Sequence, residues 1–301
     1  MKKFTLIGVG GYIAPRHLKA IKDTGNILVA ALDKHDSVGI LDSYFPNCSF
    51  FTEFERFDRH INKLYCSGDT VDYLSICSPN YLHDAHIRYG LRMGMNVICE
   101  KPLVINYKNF EYIKKLENDN GNKVNVILQL RLHPEIVKLK NIIDNSKKTD
   151  YKINLQYFTP RGKWYDYSWK SDVTKSGGLL MNIGVHFFDL LIWIFGPVVK
   201  YSVEKYTQHK SKGTLVLKKG IANWNLSIDR QDCKFNNYDP YRLLKVDDEI
   251  IDLNYNFVNL HTLAYQQILD NNGFSITNCE DSIKLVNNFL KYYTYPGKET
   301  V

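Results

Sequence analysis

The first 33 residues restrict the fold more than any other part of the chain. Phe4–Ile7 is a short apolar run typical of a buried strand, and it leads directly into a glycine-rich turn. Gly8 and Gly10 fill two positions of a G-x-G-x-x-G pattern, while Ile13 stands in place of the third glycine. A second apolar run then ends at Asp33. This order predicts a strand, a tight turn, a helix and a second strand, which is the beginning of a parallel α/β sheet.

The same segment predicts a bound dinucleotide. Gly10 lets the backbone approach a pyrophosphate at the start of a helix. An acidic residue about 20 positions beyond the glycines accepts hydrogen bonds from the adenosine ribose, and the Asp33 carboxylate would repel the extra phosphate of NADP. NAD is therefore the expected cofactor, although glycines alone also suit an ordinary strand-to-helix turn. The candidate cofactor residues of this segment are Gly8, Gly10, Gly11, Tyr12, Ile13 and Asp33.

A later strand ends in an unusual order of side chains. The apolar run Asn96–Cys99 is followed at once by Glu100, Lys101 and Pro102. Ligands of open α/β sheets lie outside the carboxyl ends of the strands, so Lys101 is expected in the cleft. Pro102 favours an extended backbone at Lys101 and would hold the amine in one direction. From these residues alone, a surface salt bridge between Glu100 and Lys101 is an equally good interpretation.

Two more strand ends carry polar residues. The run from Val71 to Cys77 precedes a polar turn and a helix that continues to Arg92, and the strand from Val124 to Gln129 closes this half of the chain. Repeated strand-helix units of this size indicate a mostly parallel sheet. The candidate cofactor residues at these strand ends are Ser78, Asn80, His83, Glu100, Lys101 and Gln129.

Beyond Gln129 the pattern changes. A helix from Arg131 to about Asn145 is followed by strands in which apolar and polar residues alternate, as in an antiparallel sheet with one solvated face. We therefore expect an α/β protein with two domains: an N-terminal Rossmann dinucleotide-binding domain over residues 1–129 and a C-terminal α+β domain with a largely antiparallel open sheet over residues 130–301.

The second half contains an apolar helix with a polar stripe. Gly177 and Gly178 precede the helix, and Asn182, His186 and Asp189 are spaced by four and then three residues, so they share one face. A histidine hydrogen-bonded inside the core is the ordinary interpretation. A histidine that faces a cleft beside Asn and Asp would instead suit proton transfer from a hydroxyl group.

Charge and composition favour a small anionic ligand. The net charge is +7 at a pI near 8.9, but the basic residues are dispersed and form no tract or basic-aromatic surface that would bind nucleic acid. A phosphate or carboxylate could be held by Arg131, Arg161, Lys163 or Lys170, and a base could stack on Trp164 or Tyr165. For each of these residues a solvated basic loop is the simpler alternative.

Cysteine spacing and hydropathy bear on metals and location. Six cysteines occur at irregular spacings with no C-x-x-C pair, which predicts no zinc site and fits a reducing cytoplasm. We also expect no membrane span, because no uninterrupted apolar run reaches the necessary length of about 20 residues.

Taken together, these motifs resemble the glucose–fructose oxidoreductase/inositol dehydrogenase/rhizopine-catabolism superfamily. Within it, the chain is similar to bacterial UDP-N-acetyl-2-amino-2-deoxyglucuronate (UDP-GlcNAcA) 3-dehydrogenases of O-antigen and lipopolysaccharide biosynthesis. The resemblance extends over both halves of the chain, and the motifs occur in the same order along it. The segments that carry it are Gly10–His17, Ser75–His83, Leu128–His133 and Asn182–Phe187.

The resemblance implies oxidation of the sugar C3 hydroxyl to a ketone, with transfer of hydride to NAD. It places Lys101 and His186 at the reacting carbon, as base or polarising group and as hydrogen-bond partner, in either assignment. Many relatives carry Asp at the position of Asn182, which weakens the case for a proton relay there. The substrate residues implied are Lys101, Arg131, Arg161, Lys163, Tyr165, Asn182 and His186, and Arg161 and Trp164 are also expected near the cofactor.

The resemblance further implies a homotetramer and a separate aminotransferase that acts on the ketone. Two alternatives stay open. One is a dehydrogenase of UDP-GlcNAc or another sugar, and the other is a regulator that senses nucleotide without turnover. The presence of both Lys101 and His186 favours an enzyme.

Overall fold

The computed structural model describes residues 1–253 and 259–293, and its contacts divide the chain into two units. The first unit is Met1–Gln129 with Val258–Cys279, and the second is Leu130–Phe257 with Glu280–Val301. The expected domains, 1–129 and 130–301, need a correction, because a late segment belongs to the first unit. Its helix packs on a helix of the amino-terminal half, and its buried residues include Leu260, Ala264 and Ile268.

The sheet of the first unit contains six parallel strands in the order β3-β2-β1-β4-β5-β6. The strands are β1 (Lys3–Ile7), β2 (Ile27–Leu32), β3 (Ser49–Phe51), β4 (Tyr73–Ile76), β5 (Asn96–Cys99) and β6 (Val124–Val126). The strand order reverses between β1 and β4, and ligands of such sheets bind at the carboxyl ends of the strands next to this reversal. The glycine turn, Ser78 and Glu100 all follow strands at this edge.

Five helices connect these strands. They are α1 (Ala14–Asp23), α2 (Ile40–Tyr44), α3 (Phe54–Cys66), α4 (His83–Arg92) and α5 (Tyr107–Asn120). The alternation of buried strands and helices confirms the expected Rossmann-type unit. β6 is shorter than predicted, because the chain turns into a 3₁₀ segment at Gln129–Leu132.

The second unit contains a mixed, mostly antiparallel sheet in the order β12-β11-β7-β10-β9-β8. Its strands are β7 (Tyr151–Phe158), β8 (Val198–Tyr206), β9 (Lys210–Leu217), β10 (Gly220–Ser227), β11 (Tyr241–Val246) and β12 (Glu249–Ile251). Among these strands only β7 and β10 pair in parallel. Along β7 the side chains of Tyr151, Ile153 and Leu155 are buried and those of Lys152 and Asn154 are exposed. The predicted α+β architecture is therefore confirmed.

The remaining helices are α6 (Pro134–Asn145), α7 (Val173–Ser176), α8 (Val185–Phe195), α9 (Leu260–Leu269) and α10 (Glu280–Tyr293). Between α7 and α8 the segment Leu180–Gly184 is a π-helix, where a single regular helix was expected. By length and composition the stretch Val173–Phe195 could cross a membrane, but 78% of its most apolar window is buried within the protein. We interpret it as a core helix of the second unit.

Candidate active site

The glycine-rich turn leaves no room for side chains. Gly8 has a φ of +91°, and a Cβ atom there would lie 2.6 Å from the backbone of Cys77 and Ser78. The N–H of Gly10 donates to Asp33 Oδ2 at 2.9 Å, which ties the turn to the end of β2. Only glycine fits the first position, because both the conformation and the close approach of the chain after strand β4 exclude a Cβ atom.

The start of α1 suits a pyrophosphate. Ile13 is the N-cap and provides no side-chain hydrogen bond, and Pro15 occupies the first turn. Within the described residues, the N–H groups of Tyr12 and Ile13 have no hydrogen-bond acceptor. Free N–H groups at a helix start bind anions, so this turn fits the phosphates of a dinucleotide.

Gln129 also fits a bound cofactor. Its side chain is 9% exposed, and its Oε1 atom lacks a hydrogen-bond donor among the residues that the structure describes. A buried amide oxygen without a partner is costly unless a ligand or water supplies the donor. The turn and the helix start thus suit the pyrophosphate of NAD, and Gln129 presents a buried amide oxygen that a ligand donor could satisfy.

His83 has a different place from the one predicted. Its side chain is 1% exposed, with Nδ1 2.7 Å from the Pro102 carbonyl oxygen and Nε2 2.8 Å from that of Ser78. Backbone carbonyl oxygens thus lie at both ring nitrogens, and a neutral imidazole donates to one of them. We replace the predicted cofactor contact by a structural link between two strand ends. The neighbouring Ser78 and Asn80 are 8% and 6% exposed, and the Ser78 hydroxyl contacts His86.

The Glu100 carboxylate points into the protein interior. It is 5% exposed, and Oε1 accepts hydrogen bonds from Nε2 of His17 at 3.0 Å and Nε2 of His261 at 2.9 Å. This arrangement replaces both the predicted cofactor contact of Glu100 and the alternative surface salt bridge with Lys101. Lys101 itself is partly exposed at the carboxyl end of β5.

Burial and hydrogen bonding shift the pKa of Glu100 in opposite directions. Burial alone would raise the pKa of Glu100, but the hydrogen bonds from His17 and His261 hold the pKa well below its usual value. Burial lowers the pKa of His17, so its imidazole is neutral near pH 7. A buried carboxylate hydrogen-bonded to histidines therefore sits next to Lys101.

In the second unit, two glycines turn the chain into the π-helix. Gly177 and Gly178 have φ values of +77° and +72°, and a Cβ atom on Gly178 would lie 2.7 Å from the Tyr206 hydroxyl. Tyr206 ends β8 and was not singled out from the sequence. Burial and the nearby Tyr165 raise its pKa, so the hydroxyl stays protonated.

The predicted polar stripe divides into two parts. Asn182 and His186 are partly exposed, as a ligand-facing pair requires, whereas Asp189 is 4% exposed. Asp189 accepts two hydrogen bonds from Arg131, from Nε at 2.9 Å and from Nη2 at 2.7 Å. We therefore replace the predicted substrate contact of Arg131 by a buried ion pair, packed against Trp193.

The loop before α7 presents cations beside Asn182. Tyr165 is 3% exposed, and its hydroxyl donates to the Lys170 carbonyl oxygen at 3.1 Å. Burial raises the pKa of Tyr165, against a hydrogen bond with Asn182 and the charge of Arg161. Burial and Arg161 lower the pKa of Lys170, whose Nζ lies 5.4 Å from the Trp164 ring centre.

Arg161, Lys163 and Trp164 are exposed. Neither Arg161 nor Lys170 has a carboxylate within 4.0 Å among residues 1–253 and 259–293. Two cations without an acidic partner suit an anionic ligand, as predicted for this loop.

Four residues near the candidate sites were missed, of which all but Tyr206 are buried. His17, His261 and Tyr265 surround Glu100, and Tyr206 lies beside Gly178. Each is a polar or aromatic residue whose chain neighbours do not indicate its partner. Such a residue signals a buried hydrogen bond but does not identify the partner.

Two family models match the chain. Residues 2–128 match the NAD-binding Rossmann domain of the GFO_IDH_MocA oxidoreductase family, and residues 148–235 match the C-terminal alpha/beta domain of the same family. The matched ranges agree with the two kinds of sheet described above.

Solved structures and curated relatives that are similar to the chain include dehydrogenases. The chain is 41% identical to the WlbA (WbpB) dehydrogenase from Thermus thermophilus, over 100% of this chain and 97% of that one. The TM-scores are 0.93 for its complex with NAD and alpha-ketoglutarate and 0.92 for its complex with NAD and UDP-GlcNAcA. The chain is 26% identical to glucose-6-phosphate 3-dehydrogenase of Bacillus subtilis over 208 residues, which cover 65% of this chain and 54% of that relative. It thus matches only about half the length of this curated relative.

Proposed function

Since this chain belongs to the GFO/IDH/MocA oxidoreductase family and has its NAD-binding Rossmann domain, we propose that it is a nucleotide-sugar 3-dehydrogenase. The reaction is oxidation of the C3 hydroxyl of UDP-GlcNAcA to a ketone. The observation that carries the proposal is the 41% identity over the whole chain to a dehydrogenase whose structure contains NAD and UDP-GlcNAcA.

The cofactor would be held by the first unit. The glycine turn and the N–H groups of Tyr12 and Ile13 would bind the pyrophosphate, Asp33 the adenosine ribose, and Gln129 a donor group. When bound, NAD supplies the acceptor for the hydride. Ser78 and Asn80 remain candidate contacts at the end of β4.

The C3 hydroxyl must lose a proton as well as a hydride. We assign Lys101 as the base or polarising group at the C3 oxygen and His186 as its hydrogen-bond partner or relay, with the reverse assignment as the alternative. Like charge from the nicotinamide ring favours the neutral amine of Lys101. Histidine in general has a pKa closer to neutral pH, which is the case for the reverse assignment.

The anionic groups of the substrate would be recognised by the loop before α7. Arg161, Lys163 and Lys170 are its cations, and Asn182 offers a hydrogen-bonding amide. The buried Tyr165 hydroxyl contacts Asn182 and the Lys170 carbonyl oxygen in place of its predicted substrate contact. The Arg161 guanidinium is suited to bidentate hydrogen bonding with a carboxylate or phosphate. Trp164 is exposed and offers a flat ring for a base or for the cofactor.

The cellular setting follows from the same proposal. The enzyme would act in the cytoplasm as a homotetramer, and a separate aminotransferase would aminate the ketone towards a 2,3-diamino-uronic acid of lipopolysaccharide. The alpha-ketoglutarate in one related structure supports this 2-oxo acid as the acceptor that reoxidises NADH between turnovers.

The test is a single-turnover measurement of NADH absorbance after addition of UDP-GlcNAcA or, separately, UDP-GlcNAc. A rise with the uronate alone supports the proposal, and repeated turnover on addition of alpha-ketoglutarate supports the recycling step. A site that binds the carboxylate with a cation should reject the alcohol strongly. Equal rates with both sugars would contradict the uronate assignment.

A second candidate is a sugar-phosphate 3-dehydrogenase, favoured by the match to glucose-6-phosphate 3-dehydrogenase. Glucose 6-phosphate is therefore included in the same assay. A rise with this sugar and none with either nucleotide sugar would select the second candidate. Bound NAD without turnover of any of the three sugars would favour a nucleotide-sensing regulator.

A further inference from the structure

The peptide that carries Lys101 is anchored by buried side chains on both sides. On the amino-terminal side, the Glu100 carboxylate accepts from His17 and His261 through one oxygen, and its other oxygen accepts from the Lys101 N–H at 3.3 Å. On the carboxyl-terminal side, His83 contacts the Pro102 carbonyl oxygen. The residues that flank Lys101 are thus both tied to the interior of the first unit.

The amino-terminal anchor continues into a series of hydrogen bonds. His17 Nδ1 lies 2.8 Å from the Tyr265 hydroxyl, whose oxygen lies 2.7 Å from Ser75 Oγ. If both histidines carry their proton on Nε2, each donates to Glu100, and the Tyr265 hydroxyl donates to the unprotonated Nδ1 of His17. Ser75 then donates to Tyr265, so each donor of this series meets an acceptor.

The same three residues could be read as metal ligands. His17, Glu100 and His261 offer atoms within 4.8 Å of one another. The two nitrogens lie 3.0 and 2.9 Å from one carboxylate oxygen, which are ordinary hydrogen-bond distances. A metal would need both Nε2 atoms deprotonated, whereas hydrogen bonding to Glu100 uses their protons. The geometry therefore favours hydrogen bonds.

We infer that Glu100, His17, His261 and Tyr265 on one side and His83 on the other form a clamp that fixes the position of Lys101 and places a buried negative charge beside it. The inference concerns positioning residues and rests on the proposed function for the catalytic part of Lys101. Two members, His261 and Tyr265, come from α9. This late segment is thus required to complete the candidate site of the first unit.

The clamp has an electrostatic consequence. The titratable groups that face Glu100 are His17 of α1, Cys77 after β4, Cys99 of β5, His83 of α4, and His261 and Tyr265 of α9. Burial holds the thiols and the tyrosine in their neutral forms by raising their pKa values. The carboxylate is therefore the negative charge of this cluster, and its Oε2 accepts from the backbone N–H of Lys101.

The experiment uses the full chain and four variants. Glu100→Gln removes the charge, and His261→Leu removes a donor that His261→Gln restores near the Nε2 position. Thr5→Val is the matched control, because Thr5 is fully buried in β1 and donates to the Ala30 carbonyl oxygen at 2.8 Å, a hydrogen bond that involves no member of the clamp. Each protein is compared for stability, NAD affinity, kcat with UDP-GlcNAcA, and the pH dependence of Lys101 labelling by an amine reagent, quantified by mass spectrometry.

We expect His261→Leu to lower kcat by about tenfold or more with NAD affinity nearly unchanged, because a small displacement of a reacting group is costly. His261→Gln should recover most of this loss, and Thr5→Val should lose stability but not kcat. In Glu100→Gln the pH of half-labelling at Lys101 should fall by about one unit, since a nearby negative charge is lost.

The clamp is overturned if His261→Leu reduces kcat no more than Thr5→Val does at equal loss of stability, or if Glu100→Gln leaves the labelling profile unchanged. A stoichiometric metal ion in the purified protein would also overturn it, since the three residues would then be ligands. Labelling needs no sugar substrate. A wild-type protein that oxidises no sugar would therefore reject the proposed function, while the labelling profiles still decide the clamp.

Discussion

At Gly8 the backbone and the adjacent strand together determine the residue type. The φ of +91° disfavours any side chain, and the space for a Cβ atom is filled by the backbone at Cys77 and Ser78. Gly25 shares the positive φ, at +72°, but a Cβ atom there would meet nothing within 4 Å among the described residues. Comparing substitutions at the two glycines therefore distinguishes the cost of a positive φ from the cost of a steric clash with a neighbouring backbone.

We expect Gly8→Ala to destabilise the protein by more than Gly25→Ala and to weaken NAD binding. Gly25→Ala should cost about 1 kcal/mol from the strained φ alone, whereas Gly8→Ala must also displace the chain after strand β4. Denaturant unfolding and NAD titration measure the two effects. Equal losses of stability in both variants, with unchanged NAD affinity, would contradict the close-approach argument.

At the residue scale, the prediction about catalysis concerns Lys101. Lys101→Ala should lower the rate of hydride transfer by at least about 100-fold, the usual contribution of a positioned acid or base, while NAD still binds. Lys108→Ala, at an exposed position of the same unit, is the control. Stopped-flow NADH absorbance gives the rate, and unaltered transfer in Lys101→Ala would remove the proposed mechanism.

At the scale of elements, the Arg131–Asp189 pair joins the 3₁₀ segment Gln129–Leu132 to α8. Both side chains are almost fully buried, at 4% and 5% exposure, and Arg131 also stacks on Trp193. Burial raises the pKa of Asp189 while the Arg131 charge opposes the shift. The pair thus fixes the helix that carries His186 rather than binding substrate.

We expect Asp189→Asn to destabilise the protein by about 3–5 kcal/mol, because the Arg131 charge stays buried without its partner. The surface pair Lys140–Asp144 on α6 provides the control, since Asp144→Asn should cost under about 1 kcal/mol. Replacing both Arg131 and Asp189 with apolar residues should recover most of the loss. If the double variant is as unstable as Asp189→Asn, the unpaired charge is not the cause.

For the molecule as a whole, buried histidines predict sensitivity to acid. Burial lowers the pKa of His86 to about 4, and it also lowers the pKa values of His17 and His83. The unfolded chain binds protons at these sites below about pH 6.5, where the folded protein does not. Glu100, with a depressed pKa, stabilises the fold above its unfolded pKa of about 4.5 and loses that contribution as the pH falls further.

The free energy of unfolding should therefore be nearly constant above pH 7. It should fall below about pH 6.5, by about 1.4 kcal/mol per pH unit for each buried neutral histidine. Denaturant titrations at about pH 8, 6 and 5 measure the slope, on both sides of the ordinary histidine pKa. His86→Asn should reduce it, and His209→Asn should not, because the His209 side chain is 42% exposed. The same slope in all three proteins would contradict the assignment to His86.

The predictions that succeeded from sequence rest on local physical rules. A buried strand needs an apolar run and a left-handed backbone favours glycine, so β2 and the turn at Gly8 could be located in advance. The family follows from the same segments. The break between α7 and α8 could not be predicted from local rules. A π-helix replaces a regular helical turn there, although residues 180–183 contain neither Gly nor Pro.

What the sequence determined by itself was therefore the kind of fold, the cofactor turn and the candidate position of Lys101, because each depends on residues close together in the chain. The tertiary structure alone decided the partners of the buried charges. Glu100 meets His261 across 161 positions and Arg131 meets Asp189 across 58. A buried charge requires a partner, but the choice of that partner depends on which helices pack together, and this is settled by the folding of the whole unit.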